Sequence, residues 1–328
     1  MFTALVIDEV DGKVTSSIKE LSEDLLPQGE VTIDASYSTL NYKDGMILNG
    51  IGRLVRSYPH IPGVDVSGVV RESTDQRFKA GDKVVVGGYR FGEIHWGGYS
   101  QLVRVPADWV VKLPSNLTLF QAMAFGTAGF SAMMAVDALE NHGLKPSAYE
   151  VLVTGAVGGV GSIAVALLAA LGYKVAASTG RPAEHEYLRS LGASTVVERS
   201  ELEEPVSRPL ESERWSGCID NVGGSTIGHV LSQLRRGASI ASVGLAAGSS
   251  FTANVMPFLL RGVSILGIDS VSLEIDKRAV LWERLAEIFP LDRLDAMTQE
   301  IGLGDLTRYG KEILEGKVKG RVVVNVNS

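Results

Sequence analysis

From Val151 to Tyr173 the chain carries no charged residue; Val-Leu-Val-Thr-Gly-Ala-Val-Gly-Gly-Val-Gly161 leads into a run of small and apolar residues. Its length alone would suit a membrane-spanning helix. Gly155, Gly158, Gly159 and Gly161 oppose that reading, because each glycine inside a helix costs about 1 kcal/mol relative to alanine. An apolar strand, a glycine turn and a small-residue helix each account for their own part of the pattern. In that order they make a dinucleotide-binding unit, which begins near residue 150 and so leaves room for a whole domain in front of it.

The 328 residues, 45% hydrophobic and 21% charged, suit two globular domains. Lys and Arg total 31 against 38 Asp and Glu, a net charge of -7, which gives no general electrostatic support to a nucleic-acid partner. Cys218 is the single cysteine, which excludes an intrachain disulfide and any multi-cysteine metal site. Met1 to Val10 contain Asp8 and Glu9 and no basic region ahead of an apolar core. No secretory signal and no membrane span are therefore expected, and the cytoplasm is the default location.

Residues 1 to about 120 read as mainly β, with runs at Thr3 to Ile7, Val31 to Tyr37, Val64 to Val70, Lys83 to Val86 and Gln101 to Val105. From Leu119 the texture changes to an alanine-rich helix, Phe120 to Leu139, after which strands alternate with helices. Six strands are expected, at Val151 to Thr154, Lys174 to Ser178, Thr195 to Val197, Gly217 to Asp220, Ser239 to Val243 and Val263 to Ile268. Such alternation builds a doubly wound parallel α/β sheet of order 3-2-1-4-5-6, whose ligands lie beyond the strand C-termini. An amphipathic helix at Asp276 to Phe289 and a strand at Arg321 to Val326 break the alternation and are expected to return to the first domain.

Ala156-Val157-Gly158-Gly159-Val160-Gly161 supplies the phosphate-binding turn, with alanine at the first glycine position and Gly155 beside it to share the bend. The helix starting near Gly159 would aim its free N–H groups at a pyrophosphate. After the second strand, an acid would hold a free ribose 2'-hydroxyl. Ser178-Thr179-Gly180-Arg181 stands there instead, with two hydroxyls and a guanidinium fork suited to a 2'-phosphate, and Arg199 lies within reach one strand later. The cofactor expected is NADPH; a solvated surface arginine is the alternative for Arg181. Asp220 to Gly224 and Gly244-Leu245 follow strands four and five, where the nicotinamide half should lie, or else are ordinary strand-ending turns.

Zinc chemistry would require three ligands among Cys, His and carboxylates. Residues 1–150 hold no cysteine, and His60, His95 and His142 form no pair at ligand spacing, so no metal is expected, with a mixed His and carboxylate site as the alternative. Reduction of a polarised C=C bond needs no Lewis acid, only an oriented carbonyl and a proton donor. Asn41-Tyr42-Lys43-Asp44 offers a phenol in a polar setting, making Tyr42 the catalytic candidate against the alternative of a plain polar turn. Tyr89, Arg90, His95 and Tyr99 form a second cluster, either a lid or a simple loop.

Gly63 to Val70, Ala80 to Val84, Trp96 to Tyr99, Gly126 to Gly129 and the Ala156 to Gly161 turn together resemble the medium-chain dehydrogenase/reductase superfamily over essentially the whole chain. Gly63-Val64-Asp65 stands where zinc members have Gly-His-Glu, so the likeness is to a zinc-free member. Leu40 to Asp44, His95 to Gly98, Gly126 to Phe130, Val255 to Phe258 with Leu260-Arg261, and Gly267 to Val271 narrow it to the quinone oxidoreductase-like branch that includes the acrylyl-CoA reductases. The resemblance implies a GroES-like catalytic domain over 1–120 completed by 269–328, a Rossmann domain over 121–268, and a homodimer. It implies cofactor contacts at Tyr42, Val157, Gly158, Gly159, Val160, Ser178, Thr179, Gly180, Arg181, Arg199, Leu245, Ser270 and Asn325. The function implied is NADPH-dependent reduction of a short α,β-unsaturated acyl-CoA thioester, with acryloyl-CoA to propionyl-CoA foremost. A quinone or enone reductase and a non-catalytic NADPH-binding or RNA-associated protein are the alternatives.

Overall fold

The computed structural model describes residues 1–203, 206 and 208–328. In chain order, the first stretch holds strands β1 (Phe2–Val10), β2 (Lys13–Leu21) and β3 (Val31–Thr39), helix α1 (Tyr42–Leu48), and strands β4 (Asp65–Ser73), β5 (Lys83–Gly87), β6 (Leu102–Val105) and β7 (Val110–Lys112). Helix α2 (Leu119–Asn141) leads into β8 (Glu150–Val153), α3 (Gly159–Ala170), β9 (Lys174–Thr179), α4 (His185–Ser190), β10 (Thr195–Glu198) and α5 (Arg199–Glu203). Next come β11 (Trp215–Asp220), α6 (Ser225–Gln233), β12 (Ser239–Ser242), α7 (Met256–Arg261) and β13 (Ser264–Gly267). The chain closes with α8 (Ile275–Ile288), α9 (Leu291–Ala296), β14 (Thr298–Gly302), α10 (Leu306–Leu314) and β15 (Arg321–Asn325).

Two compact units result, one of residues 1–127, 270–287 and 294–328, the other of 128–269 and 288–293. In the first, a seven-stranded sheet runs β14-β15-β3-β4-β5-β7 with β6 paired to β3, and β1 and β2 form a separate antiparallel ribbon. The C-terminal segment joins this unit because β15 lies antiparallel to β3, Val323 opposite Thr39 and Asn325 opposite Tyr37. Its core is built from β-branched residues such as Val31, Ile33, Val66, Val84, Val322 and Val324, which suit a pleated surface. β2 was not foreseen from the sequence: it is mostly solvated, and of its three apolar residues Val14 and Leu21 are partly buried while Ile18 is exposed.

The second unit is a six-stranded parallel sheet of order β10-β9-β8-β11-β12-β13, which is 3-2-1-4-5-6 in the unit's own strand order. The uncharged stretch becomes β8, a turn and α3, and Ile163 to Leu168 of α3 are buried. Among the described residues one helix, α2, is long and apolar enough to cross a membrane, and most of it is buried in the fold.

The unit boundary falls a few residues later than the expected 120/121. Gly126, at φ 49° and ψ −156°, interrupts the helical backbone of α2, and the turn before it is fastened to the first unit by Arg321, whose Nε donates to the Ala124 carbonyl at 2.7 Å. Residues 288–293, in turn, belong to the second unit, where Arg293 donates to the Leu191 carbonyl. A Cβ on Gly126 would stand 2.7 Å from Thr39 Cγ2 and 3.0 Å from the Asp65 carboxylate. Gly126→Ala, combining a forbidden backbone region with overpacking, is expected to cost about 2–5 kcal/mol, read as a lowered urea midpoint; an unchanged midpoint would contradict the stated packing.

Candidate cofactor and active-site residues

In the first unit, the segment Asn41 to Asp44 starts helix α1, so the polar turn considered from sequence is a helix N-terminus. Asn41 is the N-cap, and its backbone N–H donates to Asp44 Oδ2 at 2.8 Å. The Asn41 amide nitrogen donates to Asp44 Oδ2 at 3.1 Å and to Asp65 Oδ2 at 2.8 Å, while its oxygen accepts from Arg321 Nη2 at 3.3 Å. One amide therefore lies between a buried guanidinium and two buried carboxylates. Asp44 also accepts the Val64 N–H, and Asp65 accepts the Thr127 N–H and hydroxyl.

Burial pushes the Asp44 carboxyl up to about 7, with the Asp65 charge adding to the shift and the Asn41 and Val64 N–H groups opposing it. Burial likewise lowers Arg321 to about 10 against the pull of both carboxylates, and raises the Tyr99 phenol well above its ordinary value. Of the four residues Asn41 to Asp44, two face this interior and Lys43 is paired to Glu93 at 2.9 Å. Tyr42, first residue of the helix, is left with 43% of its surface exposed. It is the most exposed of the four and, unlike the partly exposed Lys43, has no carboxylate paired to it among the described residues.

The second cluster does not converge on one point. Tyr99 is fully buried and its hydroxyl donates to the Thr39 carbonyl. Tyr89 stacks on Trp109 and donates to the Leu273 carbonyl, Arg90 pairs with Glu93, and His95 bonds the Trp96 carbonyl, its imidazole lowered by burial. These contacts describe a fastened loop.

In the second unit, Gly155 takes the bend at φ 58°, doing the work of the glycine that alanine replaces at 156. A Cβ on Gly161 would strike the Gly155 carbonyl and the Ala156 backbone, so this glycine sets the approach of α3 to the turn. Gly158 caps α3, whose first-turn N–H groups at Gly159, Val160 and Gly161 precede any intrahelical acceptor. Val157 and Ser178 are buried beneath the turn, and the Ser178 carbonyl accepts the Ala156 N–H.

Thr179 Oγ1 accepts the Arg181 N–H at 3.0 Å, which leaves its own proton to donate. Arg199 folds over Gly180: a Cβ there would lie 2.8 Å from the guanidinium carbon. Arg199 also pairs with Glu203 at 3.1 Å, which holds its fork above the turn. Sequence spacing placed Ser178 to Arg181 and Arg199 as neighbours; the reason, a missing side chain at 180, needs the structure. Leu245, after β12, is 60% exposed. Ser270 and Asn325 lie in the first unit, where the Ser270 carbonyl accepts from Arg278 and the Asn325 amide is engaged with Glu300 and the Asn327 N–H.

Residues 27–115 match the alcohol dehydrogenase GroES-like domain and 159–287 the zinc-binding dehydrogenase domain. The chain is 57% identical, over the full length of both proteins, to acrylyl-CoA reductase AcuI of Ruegeria pomeroyi. It belongs to the medium-chain dehydrogenase/reductase family. Among solved structures, Escherichia coli YhdH with bound NADPH has a TM-score of 0.96 at 46% identity, covering 99% of this chain and all of that one. Bacillus subtilis YhfP with NAD bound has a TM-score of 0.95 at 43% identity, covering 99% of each chain.

The residues here do not fit the zinc in the second domain's description. Among the described residues no group of three or more His, Cys, Asp or Glu could hold a metal. Asp65, which the resemblance sets against the zinc members' motif, already accepts from Asn41 and the Thr127 N–H at Oδ2 and from the Thr127 hydroxyl at Oδ1.

The raised Asp44 carboxyl has a direct consequence for stability. Between the ordinary value of 3.8 and about 7, the folded chain retains a proton that the unfolded chain has released. Stability therefore falls as pH rises through that window and levels off above it. Urea denaturation at pH 5 to 8 should show this slope, at most one proton or ~1.4 kcal/mol per pH unit. Asp44→Asn should abolish the slope while lowering stability at every pH, since its amide N–H group would face N–H donors. An unaltered slope in the variant would assign the titration to another group.

Proposed function

We propose that this protein is an NADPH-dependent reductase of short α,β-unsaturated acyl-CoA thioesters, converting acryloyl-CoA to propionyl-CoA. The observation that carries the reading is 57% identity to the Ruegeria pomeroyi reductase with no part of either chain left over. The NADPH-bound state of the Escherichia coli neighbour supports the cofactor. So does the turn after β9, where the Arg199 guanidinium lies over Gly180, Arg181 is the next residue in the chain and no acid follows the strand. Two guanidinium groups favour a 2'-phosphate through bidentate, charge-assisted hydrogen bonds.

NADPH, when bound, supplies the hydride that reduces the β-carbon. The N–H groups at the start of α3 bind the pyrophosphate, and Gly158 lets it approach the backbone. Tyr42, held at the N-terminus of α1 by Asn41 and Asp44, orients the thioester carbonyl and delivers the proton to the α-carbon. The inward-pointing side chains of Asn41 and Asp44 fix the helix N-terminus on which it sits.

The same reading makes the protein a cytoplasmic homodimer. β13 is an edge strand of the parallel sheet, and Val255, Leu259 and Leu260, on and beside α7, expose 61%, 74% and 49% of their surface just before it. An uncovered strand edge beside an apolar helix is a pairing surface. Sedimentation at the mass of one 35.0 kDa chain would remove the dimer, and cell fractionation checks the compartment.

NADPH oxidation with acryloyl-CoA, crotonyl-CoA and a quinone, run side by side, should be fastest with acryloyl-CoA; turnover of the quinone alone would replace the substrate assignment. Tyr42→Phe should lower kcat about a hundredfold. A flat response would assign the proton to water. Arg181→Ala should raise the KM for NADPH at least about tenfold and leave that for NADH unchanged.

A further inference from the structure

We infer that Asn221 is a cofactor-binding residue whose side-chain oxygen accepts a hydrogen bond from the nicotinamide nucleoside half of NADPH, either its carboxamide N–H or a ribose hydroxyl. The inference rests on the NADPH reading above and adds a contact which that reading does not contain.

Asn221 follows β11, and Thr154 follows β8; these are the two central strands between which the order of the parallel sheet reverses. The Asn221 backbone N–H donates to Thr154 Oγ1 at 3.0 Å, and its Nδ2 donates to the Thr154 carbonyl at 2.8 Å. A carbonyl only accepts, so the amide nitrogen must be the end facing Thr154, and the orientation of the amide is settled by chemistry. The Thr154 hydroxyl spends its own proton on Asp220 Oδ1 at 2.6 Å. Asn221 Oδ1 is therefore the free end, and it is buried with no hydrogen-bond partner among the described residues. Buried polar atoms in native folds are almost always satisfied, which points to a donor outside the chain.

The surroundings indicate which part of the cofactor supplies it. A Cβ on Gly155 would come 3.4 Å from Asn221 Cβ, and a Cβ on Gly244, just past β12, would strike the Asn221 backbone. Loops after β8, β11 and β12 thus close on this residue. The phosphate-seeking turn at Ser178 to Arg181 follows β9, on the other side of β8 from β11. With the adenosine half on the β9 side, the extended dinucleotide brings its nicotinamide half to the β11 side. That half carries hydroxyl and carboxamide donors and no anionic oxygen once past the pyrophosphate, matching an acceptor.

Dissociation constants for NADPH and for 2',5'-ADP, which lacks the nicotinamide half, test the inference on the full-length protein. Asn221→Ala should weaken NADPH about tenfold and leave 2',5'-ADP within about twofold. Equal weakening of both ligands would make Asn221 a structural clamp, and no weakening of either would also overturn the inference. Should the variant not fold, wild-type protein labelled at asparagine amides answers the same question: the Asn221 side-chain resonance should shift with NADPH and not with 2',5'-ADP, and a shift common to both refutes it. Wild-type protein that binds neither ligand would refute the NADPH reading itself, whereas normal wild-type binding with an indifferent variant refutes this contact alone.

Discussion

The first unit is organised around a single amide. Two carboxylates, Asp44 and Asp65, and a guanidinium, Arg321, are buried together, an arrangement whose desolvation cost is large unless each group is hydrogen-bonded. Asn41 meets the requirement from both ends, accepting from Arg321 and donating to each carboxylate. The remaining capacity is taken by Thr39, the Ala124 carbonyl, the Val64 N–H and Thr127. Four stretches of the chain, residues 39–44, 64–65, 124–127 and 321, are thereby fixed together, and the residue after Asn41 is Tyr42. Positions close to the cluster lose their side chains in consequence: a Cβ on Gly87 or Gly126 would press on the Asp65 carboxylate.

The second unit uses a different device, in which missing side chains rather than paired charges place the functional groups. Gly155 turns the backbone, Gly161 lets α3 close on the turn, Gly180 admits Arg199, and Gly244 admits the backbone of Asn221. Each of these lies in a loop following a parallel strand or in the helix that loop begins, where the sheet delivers ligand-binding groups. Packing below is ordinary and apolar: Trp215, Cys218, Ile240 and Leu152 are wholly buried. The rigid core fixes the strand ends, and the glycines decide how near a ligand or a side chain comes.

This contrast explains which parts of the protein were legible before the structure. The parallel sheet could be read through to strand order, since its apolar strands alternate with helices over short separations and right-handed crossovers leave few topologies. The glycine turn and the Ser178 to Arg181 segment were legible for the same reason, being local. The ribbon strand β2, with a solvated face and little apolar pattern, was not. Neither was the Asn41 network: Arg321 meets Thr39 across a sequence separation of 282 residues, and in sequence it is one more arginine near a C-terminal strand. Asp44 and Asp65 read equally well as surface acids. Asn221 fell within a segment, Asp220 to Gly224, read either as lying near the nicotinamide half or as an ordinary strand-ending turn, and its orphaned oxygen singles it out there.

The Asn41 network also bears on why no group of three or more His, Cys, Asp or Glu among the described residues is placed to hold a metal. A carboxylate that coordinates a metal gives up hydrogen bonds that its ligating oxygen already accepts. Asp65 Oδ2 accepts from both Asn41 and the Thr127 N–H, and Oδ1 accepts the Thr127 hydroxyl. Freeing it would strand those donors and leave Arg321 facing one fewer compensating charge. The neighbouring positions give no substitute, since Val64 contributes only its backbone N–H, to Asp44, and Asn41 is committed at both ends of its amide. Positive charge at this point of the fold comes from Arg321, which is fixed, buried and hydrogen-bonded to the frame. It stabilises the base of helix α1 instead of polarising a substrate oxygen. On the function proposed above, the hydrogen-bonding group that the frame presents for substrate activation is Tyr42, first residue of α1.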